Sequence, residues 1–254
     1  MNTTTRFILL TAIRDKLFPA LFILILAVIG ITRALASTAM LEDQQMHMVM
    51  SAGLARIIIN IGVAVFVCFH VRSMYDSKEI DVMISRPLSR PKLVFGLWCG
   101  FSIVATLLCI ASSAVLFLLS PIDIAGYVTW SGSLLLECWI MVAIALFASL
   151  TNKGAVTSVM VTFTLYILGR LMAFFVATAN SKMIFKDKWL NDIAEYGIEL
   201  ISVIIPRLDM FADTEWLLYG VTDKADIAFF TTQGMIFIPF VLALSIIDFS
   251  KKQF

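Results

Sequence analysis

The sequence carries little charge and few residues that interrupt regular structure. Of its 254 residues, only 15% are Asp, Glu, Lys or Arg, and proline occurs 6 times. Soluble domains carry about 25% charged residues, so a chain this poor in charge is not expected to be surrounded by water. Lys and Arg number 19 against 18 Asp and Glu. This balance argues against nucleic acid as a partner, because there is no basic excess to neutralise phosphates.

The sequence also lacks the residue groups that carry the commoner chemistries. Its 4 cysteines have no CxxC spacing and its 2 histidines stand apart, which argues against a metal or disulfide site. We expect the cysteines to be small packing residues in apolar segments and the histidines to lie at the surface or at helix ends. No HExxH, GxSxG or GxxxxGK[ST] motif occurs. The chain is therefore predicted to be no enzyme and to bind no cofactor of its own.

Apolar residues make up most of what is present. They account for 60% of the chain, and the mean hydropathy is +0.94. A helix needs about 20 mostly apolar residues to cross a bilayer. The sequence predicts six such helices in an all-α membrane protein with one domain over residues 1–254. The six stretches are 17–31, 53–71, 95–119, 131–150, 155–177 and 227–247.

The distribution of basic residues between these stretches predicts an orientation. Segments on the side of the N-terminus have more Lys and Arg than Asp and Glu, and the segments on the opposite side have the reverse. Short loops rich in Lys and Arg remain in the cytoplasm. We therefore expect a multi-pass protein of the cell (inner) membrane with both termini in the cytoplasm.

The N-terminal residues 5–16 form a separate amphipathic pattern. Phe7, Leu10, Ile13 and Leu17 recur at steps of three and four residues, with charged residues mostly on other faces. This spacing predicts a helix that lies on the membrane surface before the first span. The alternative is that the segment extends the first span inward.

The segment 73–92, between the second and third spans, combines charge with rigidity. Pro87 and Pro91 disfavour helix at the residues before them, so the chain should form a defined turn there. One interpretation is an anchor whose basic side chains face lipid phosphates. The other is a docking surface for a cytoplasmic protein. The candidate docking residues are Asp76, Glu79, Asp81, Arg86, Pro87 and Arg90.

A second polar segment, residues 178–226, follows the fifth span on the outer side. A loop this long is expected to contain helices. Apolar residues from 189 to 204 share one helical face, while Glu195 and Glu199 mark another, which makes a further full span improbable on energetic grounds. An interfacial helix with aromatic anchors at Trp189 and Tyr196 is one interpretation.

Two ionisable residues, Glu137 and Arg170, are expected inside the fourth and fifth spans. The turn at 151–154 joins these spans, and the two residues lie at nearly equal distances from it. An unpaired charge at this depth would cost several kcal/mol, so we expect them to form an ion pair. The alternative is that they contact a polar or anionic group of a substrate.

The run KEIDVMISRPLSRPKLVFG, residues 78–96, resembles the cytoplasmic hallmark of the type-2 ABC transporter permeases. Six spans, an amphipathic entry helix and the outer run IPRLDMF at 205–211 are also similar to that family. Family members often have a lysine after the glycine that opens the third span, but here Leu97 follows Gly96. A role attached to that lysine is therefore not carried over.

The resemblance implies a permease subunit of an ABC exporter. The segment around Glu79 would be the coupling helix for a separate cytoplasmic ABC ATPase subunit, which would hold ATP and Mg. The permease would form a dimer with a second copy or a paralogue, surrounded by membrane lipids. Short helices would dip into the outer leaflet and help to close the exit, with outer gate residues Glu195, Glu199, Pro206 and Asp209.

The transported substrate is not specified by the sequence. Because the predicted spans contain few charges, a lipid, a glycan carried on a lipid or a hydrophobic small molecule fits better than a hydrophilic ion. Two other classes stay open. A polytopic membrane enzyme would need the carboxylates of the outer segment, and a non-catalytic membrane assembly protein would bind partners without nucleotide.

Overall fold

The structure is a computed structural model, in which the described residues are 8, 17–37, 43–80, 89–119, 124–180, 196–197, 205–211, 213–220 and 224–251. This part of the chain is helical and contains no β-strand. The main helices are α1 (Leu17–Ala36), α2 (Asp43–Asp76), α3 (Arg90–Leu119), α4 (Ile124–Thr151), α5 (Ala155–Asn180), α6 (Glu215–Tyr219) and α7 (Lys224–Lys251). A 3-10 turn at Leu208–Met210 lies between α5 and α6.

Five helices are long and apolar enough to cross a membrane. They are α2, α3, α4, α5 and α7, whose apolar parts extend over 24 to 32 residues. The apolar part of α1, Pro19–Leu35, is shorter. The predicted all-helical membrane class is therefore confirmed for the described residues, with five candidate spans. The observed helices also extend beyond the predicted stretches, most clearly α2, which has 34 residues.

Proline occurs in these helices where the backbone tolerates it, with one exception. Pro19 and Pro91 lie in the first turns of α1 and α3, where the backbone N–H has no partner within the helix. Pro239 lies in the interior of α7 and removes one hydrogen bond of that helix. A bend in α7 is therefore expected near this residue.

Helix α4 is at the centre of the bundle and packs against α2, α3, α5, α6 and α7. Of its apolar part, 72% is buried within the chain, against 22% for α5 and 28% for α7. Small residues such as Ala143, Ala145 and Ala148 are fully or almost fully buried along α4 and allow close approach of its neighbours. The exposed faces of α5 and α7 are apolar and suited to lipid or to another membrane protein.

Several expectations can be compared with this fold. Of the predicted N-terminal helix at 5–16, only Ile8 is described, and it is buried against Gly100 of α3. Three of the four cysteines are buried, and all four are free thiols. The histidines differ from the expectation of surface positions. His47 is buried near the start of α2, and His70 is buried against the rings of Phe66 and Phe101.

Two glycines allow the segment between α5 and α7 to pack closely on the bundle. A Cβ atom at Gly169 of α5 would lie 2.7 Å from the carbonyl oxygen of Pro206. A Cβ atom at Gly126 of α4 would collide with the carbonyl oxygen of Trp216 in α6. Leu208, Phe211 and Trp216 are buried as a result. The absence of side chains at these glycines thus determines how deeply residues 205–219 descend.

The fold predicts opposite effects for two glycines of α4. Gly126→Ala should lower the apparent melting temperature in detergent, because the new methyl group displaces α6 at a cost of about 1–3 kcal/mol. Gly132→Ala is the matched control, since its Cβ would meet no atom within 4 Å. That change should be neutral or stabilising by up to about 1 kcal/mol, as expected for Gly to Ala in a helix. Equal melting temperatures for the two variants would contradict the described packing.

Candidate functional site

A buried ion pair joins α2 and α4. The Nε atom of Arg56 donates to Oε2 of Glu137 at 2.6 Å, and the side chains are 5% and 0% exposed. A charge-assisted hydrogen bond of this kind is short and strong where water is absent. Removal of one partner would leave an uncompensated charge among apolar side chains. The pair therefore fixes the relative position of the two helices.

The same arginine reaches a backbone carbonyl in the segment 205–211. The Nη2 atom of Arg56 donates to the oxygen of Leu208 at 2.9 Å, and Nη1 of Arg170 donates to the same oxygen at 2.9 Å. We name the four groups, Arg56, Glu137, Arg170 and the Leu208 carbonyl, the Leu208 junction. It connects α2, α4, α5 and the segment that precedes α6.

The Leu208 junction lies near the middle of the helices. Glu137 is 14 residues from the last residue of α4, and Arg170 is 15 residues from the first residue of α5. At about 1.5 Å per residue, both are roughly 21 to 23 Å from that end of the bundle. An apolar layer of about 30 Å would contain this level. The segment 205–211 is thus non-helical backbone at membrane depth, which is tolerated only where it is enclosed by protein.

The backbone of this segment satisfies its polar groups locally. The N–H of Leu208 donates to the carbonyl of Pro206 at 2.9 Å, and the N–H of Phe211 donates to the carbonyl of Leu208 at 3.3 Å. Proline has no N–H to satisfy. With two guanidinium donors added, the Leu208 oxygen has no lone pair left for water. The arginines therefore provide the polar partners that lipid could not.

Arg207 and Asp209 form a second ion pair in the segment. Their Nη2 and Oδ2 atoms are 3.0 Å apart, and the guanidinium of Arg207 lies 5.7 Å from the ring centroid of Phe229 in α7. Of the four predicted outer gate residues, Pro206 and Asp209 are thus found in the segment that contacts the Leu208 junction. Glu195 and Glu199 lie outside the described residues.

The predicted direct pairing of Glu137 with Arg170 is wrong. Glu137 is paired with Arg56, while Arg170 binds the Leu208 carbonyl, so the two predicted residues meet through one junction rather than one hydrogen bond. Their similar depth was predicted correctly from the distances to the 151–154 turn. Arg56 was missed, although its position inside the apolar stretch 53–71 is a signal that could have revealed it.

Three buried acceptor or hydroxyl atoms near this level have no hydrogen-bond partner among the described residues. They are Oε1 of Glu137, Oδ1 of Asn60 and the hydroxyl of Tyr166. Asn60 lies one turn from Arg56 and donates to its carbonyl oxygen. The hydroxyl of Tyr166 lies in the electrostatic field of Glu137, Arg56 and Arg170. The cluster consequently has unused hydrogen-bonding capacity as well as charge.

The docking candidates lie at the opposite end of the bundle, which we name the Lys153 end. Asp76 closes α2 in an exposed ion pair with Arg72, at 2.7 Å between Oδ1 and Nη2. Lys78 follows with a φ of 58°, in the left-handed region, so the chain turns sharply after α2. Glu79 is half-buried and Ile80 is buried. Asp81, Arg86 and Pro87 lie outside the described residues.

The helices on both sides of this candidate region are tied to other helix ends. Arg72 of α2 donates to the carbonyl oxygen of Lys153 in the turn between α4 and α5, at 2.5 Å. Arg90, the first residue of α3, donates to the carbonyl oxygens of Phe249 and Ser250 in α7, at 3.1 and 2.8 Å. Cations at a helix C-terminus satisfy its free carbonyls and its dipole. Movement of the segment 73–92 would therefore be transmitted to α5 and α7.

The contacts at the two levels have the same spacing along α2 and α4. Arg56 binds Glu137, and Arg72 binds Lys153, so 16 residues separate the contacts on α2 and 16 separate them on the chain of α4. At about 1.5 Å per residue, the two levels are roughly 24 Å apart. The two helices are thus held in one register at mid-depth and at the Lys153 end.

The chain matches no protein-family model and no curated protein sequence. Its geometry and the resemblance in residues 78–96 are accordingly the basis for a functional proposal.

The Leu208 junction predicts strong coupling between Arg56 and Glu137. Arg56→Gln and Glu137→Gln should each lower the stability of the purified protein by about 3 kcal/mol, because each leaves the other charge buried without its partner. The double variant should recover part of this loss, as measured by thermal unfolding in detergent. The control is the same cycle for Glu137 and Arg170, which should give a smaller coupling. A larger coupling in the control cycle would show that the pairing is assigned to the wrong arginine.

Proposed function

We propose that this chain is the membrane-spanning permease subunit of an ATP-binding-cassette transporter. A separate cytoplasmic ATPase subunit would hold ATP and Mg and would dock on the segment 73–92. The transporter would export a lipid, a glycan or a hydrophobic small molecule. The observation that carries this proposal is the pair of arginines beside that segment, since Arg72 and Arg90 link it to the ends of α5 and α7.

The contacts at the Lys153 end support this function because an ATPase on the segment 73–92 needs a mechanical connection to the helices. Arg90 holds the start of α3 against the end of α7, and Arg72 holds the end of α2 against the α4–α5 turn. A displacement of the segment would act on several spanning helices at once. An anchor that only faced lipid phosphates would not require these inter-helix contacts.

The proposal includes α1 as a sixth span. Its apolar part, Pro19–Leu35, is about 25 Å long at 1.5 Å per residue, which approaches the thickness of the apolar layer. With six spans, both termini and the Lys153 end would face the cytoplasm of a cell (inner) membrane. The exposed basic side chains Lys92, Lys153 and Lys251 at this end agree with the positive-inside rule.

A dimer would complete the translocation path. Only 22% of the apolar part of α5 and 28% of that of α7 is buried in one chain, so apolar surface is left for a neighbour. A second copy or a paralogue related by a two-fold axis would double the number of helices around a path. The non-helical segment 205–211 would then be the outer gate, held closed by the Leu208 junction.

Charge reversal in the segment tests the docking role. Glu79→Lys and Arg86→Glu should reduce stimulation of the partner ATPase about tenfold, because each reversal replaces an attraction with a repulsion worth about 1.4 kcal/mol or more. The control is Lys251→Glu, an exposed basic residue at the same end, which should change stimulation less than twofold. The measurement is ATPase activity after mild-detergent purification of the complex. Absence of any co-purifying ATPase, or full stimulation by both reversal variants, would refute the docking role.

A second experiment separates force transmission from docking. Arg90→Gln should leave the amount of co-purified ATPase unchanged and reduce its stimulation several-fold, because the contact between α3 and α7 is lost. Lys92→Gln, an exposed cation on the same helix, should change neither quantity. If Arg90→Gln abolished co-purification instead, Arg90 would act as a docking residue and not as the link to α7.

A further inference from the structure

The charges around the Leu208 junction do not balance. Three guanidinium groups, on Arg56, Arg170 and Arg207, face two carboxylates, on Glu137 and Asp209. Each carboxylate is paired with one arginine, and neither partner is Arg170. Arg170 has one hydrogen bond among the described residues, to a carbonyl that Arg56 already contacts. One positive charge at membrane depth is therefore left without a carboxylate.

The position of Arg170 makes this excess accessible from the membrane. Its side chain is partly exposed, and the neighbouring side chains Ile167, Leu171 and Phe174 on α5 are 55%, 45% and 66% exposed. A molecule that reaches Arg170 along this face must have an apolar portion. A cation at this depth is expensive unless it is matched by an anion.

A second donor lies beside Arg170. Tyr166 precedes it by one helical turn, so the two side chains lie on the same side of α5. The tyrosine hydroxyl is buried, with the residue 6% exposed, and it has no hydrogen-bond partner among the described residues. A guanidinium fork and a hydroxyl together suit the oxygens of a phosphate group.

We infer that Arg170 and Tyr166 form a binding site for the phosphate headgroup of an anionic lipid whose acyl chains lie along the exposed face of α5. Such a lipid has the net negative charge that the cluster lacks, and its apolar chains match the surface beside the site. The inference deepens the proposed function, and rests on it, in naming an anionic lipid as the transported class.

A second copy of the chain is a poorer source of the missing charge. In the described spanning helices, the carboxylates other than Glu137 lie within four residues of a helix end, at Asp43, Asp76, Asp226 and Asp248. Glu137 is fully buried. A neighbouring copy would therefore bring no free carboxylate from these helices to the depth of Arg170.

Lipid binding to the purified full-length chain tests the inference. The protein in nonionic detergent is titrated with phosphatidylglycerol or with phosphatidylcholine of the same acyl chains, and bound lipid is counted by native mass spectrometry. The wild type should prefer phosphatidylglycerol, and Arg170→Gln should weaken its binding about tenfold, as expected for loss of hydrogen bonds to a charged group. Arg170→Lys should be intermediate, because the charge stays and the planar fork is lost.

Two further variants keep the experiment decisive. Tyr166→Phe removes one hydroxyl and should weaken phosphatidylglycerol binding a few-fold even if Arg170→Gln does not fold. Lys153→Gln removes an exposed cation away from the site and should have no effect. Unchanged phosphatidylglycerol binding in both Arg170→Gln and Tyr166→Phe would overturn the site. Equal affinity of the wild type for the two lipids would also overturn it.

Two other arms distinguish the source of the anion. Inorganic phosphate that binds as tightly as the lipid, in a manner dependent on Arg170, would show a soluble ligand and overturn the lipid assignment. Loss of a dimer on Arg170→Gln, with lipid binding unchanged, would assign Arg170 to a protein interface instead. Because these measurements use the chain without nucleotide or ATPase, a failure here is distinguishable from failure to engage an ATPase.

Discussion

A charge or a backbone carbonyl within the apolar layer of a membrane must be matched by a partner of the same protein, and the Leu208 junction is where this chain satisfies that requirement. The carbonyl of Leu208 accepts hydrogen bonds from two arginines, and one of these arginines is paired with Glu137. Non-helical backbone at such depth would otherwise lose several kcal/mol for each unsatisfied group. The descent of residues 205–211 into the bundle, the register of α2 on α4 and the attachment of α5 all depend on these few bonds.

Close backbone contact makes the junction possible. Gly169 admits the carbonyl of Pro206, and Gly126 admits that of Trp216. The segment before α7 can therefore approach α4 and α5 closely enough for arginine side chains to reach it. The Lys153 end uses the same chemistry in a more exposed setting, where Arg72 and Arg90 bind the carbonyls at the ends of neighbouring helices. Guanidinium groups bound to carbonyl oxygens thus organise both levels of the bundle.

The helical class and the approximate locations of the long helices could be predicted from the sequence, because a run of about 20 apolar residues has few alternatives. The depths of Glu137 and Arg170 could be predicted for a similar reason, since helix rise is nearly constant. The partner of Glu137 could not. Pairing depends on which helices are neighbours, and in this bundle Arg56 of α2 reaches Glu137 directly. The role of the Leu208 carbonyl was also inaccessible, because a backbone acceptor has no signature in the sequence.

The equal spacing of the Arg56–Glu137 and Arg72–Lys153 contacts has a consequence for how this protein can change over time. Replacement of a residue between Arg56 and Arg72 leaves both contacts in register, but insertion or deletion of one residue rotates the following helix by about 100° and shifts it by about 1.5 Å. One of the two contacts would then be lost. Relatives of this chain should therefore vary in residue type along this part of α2 while keeping its length constant.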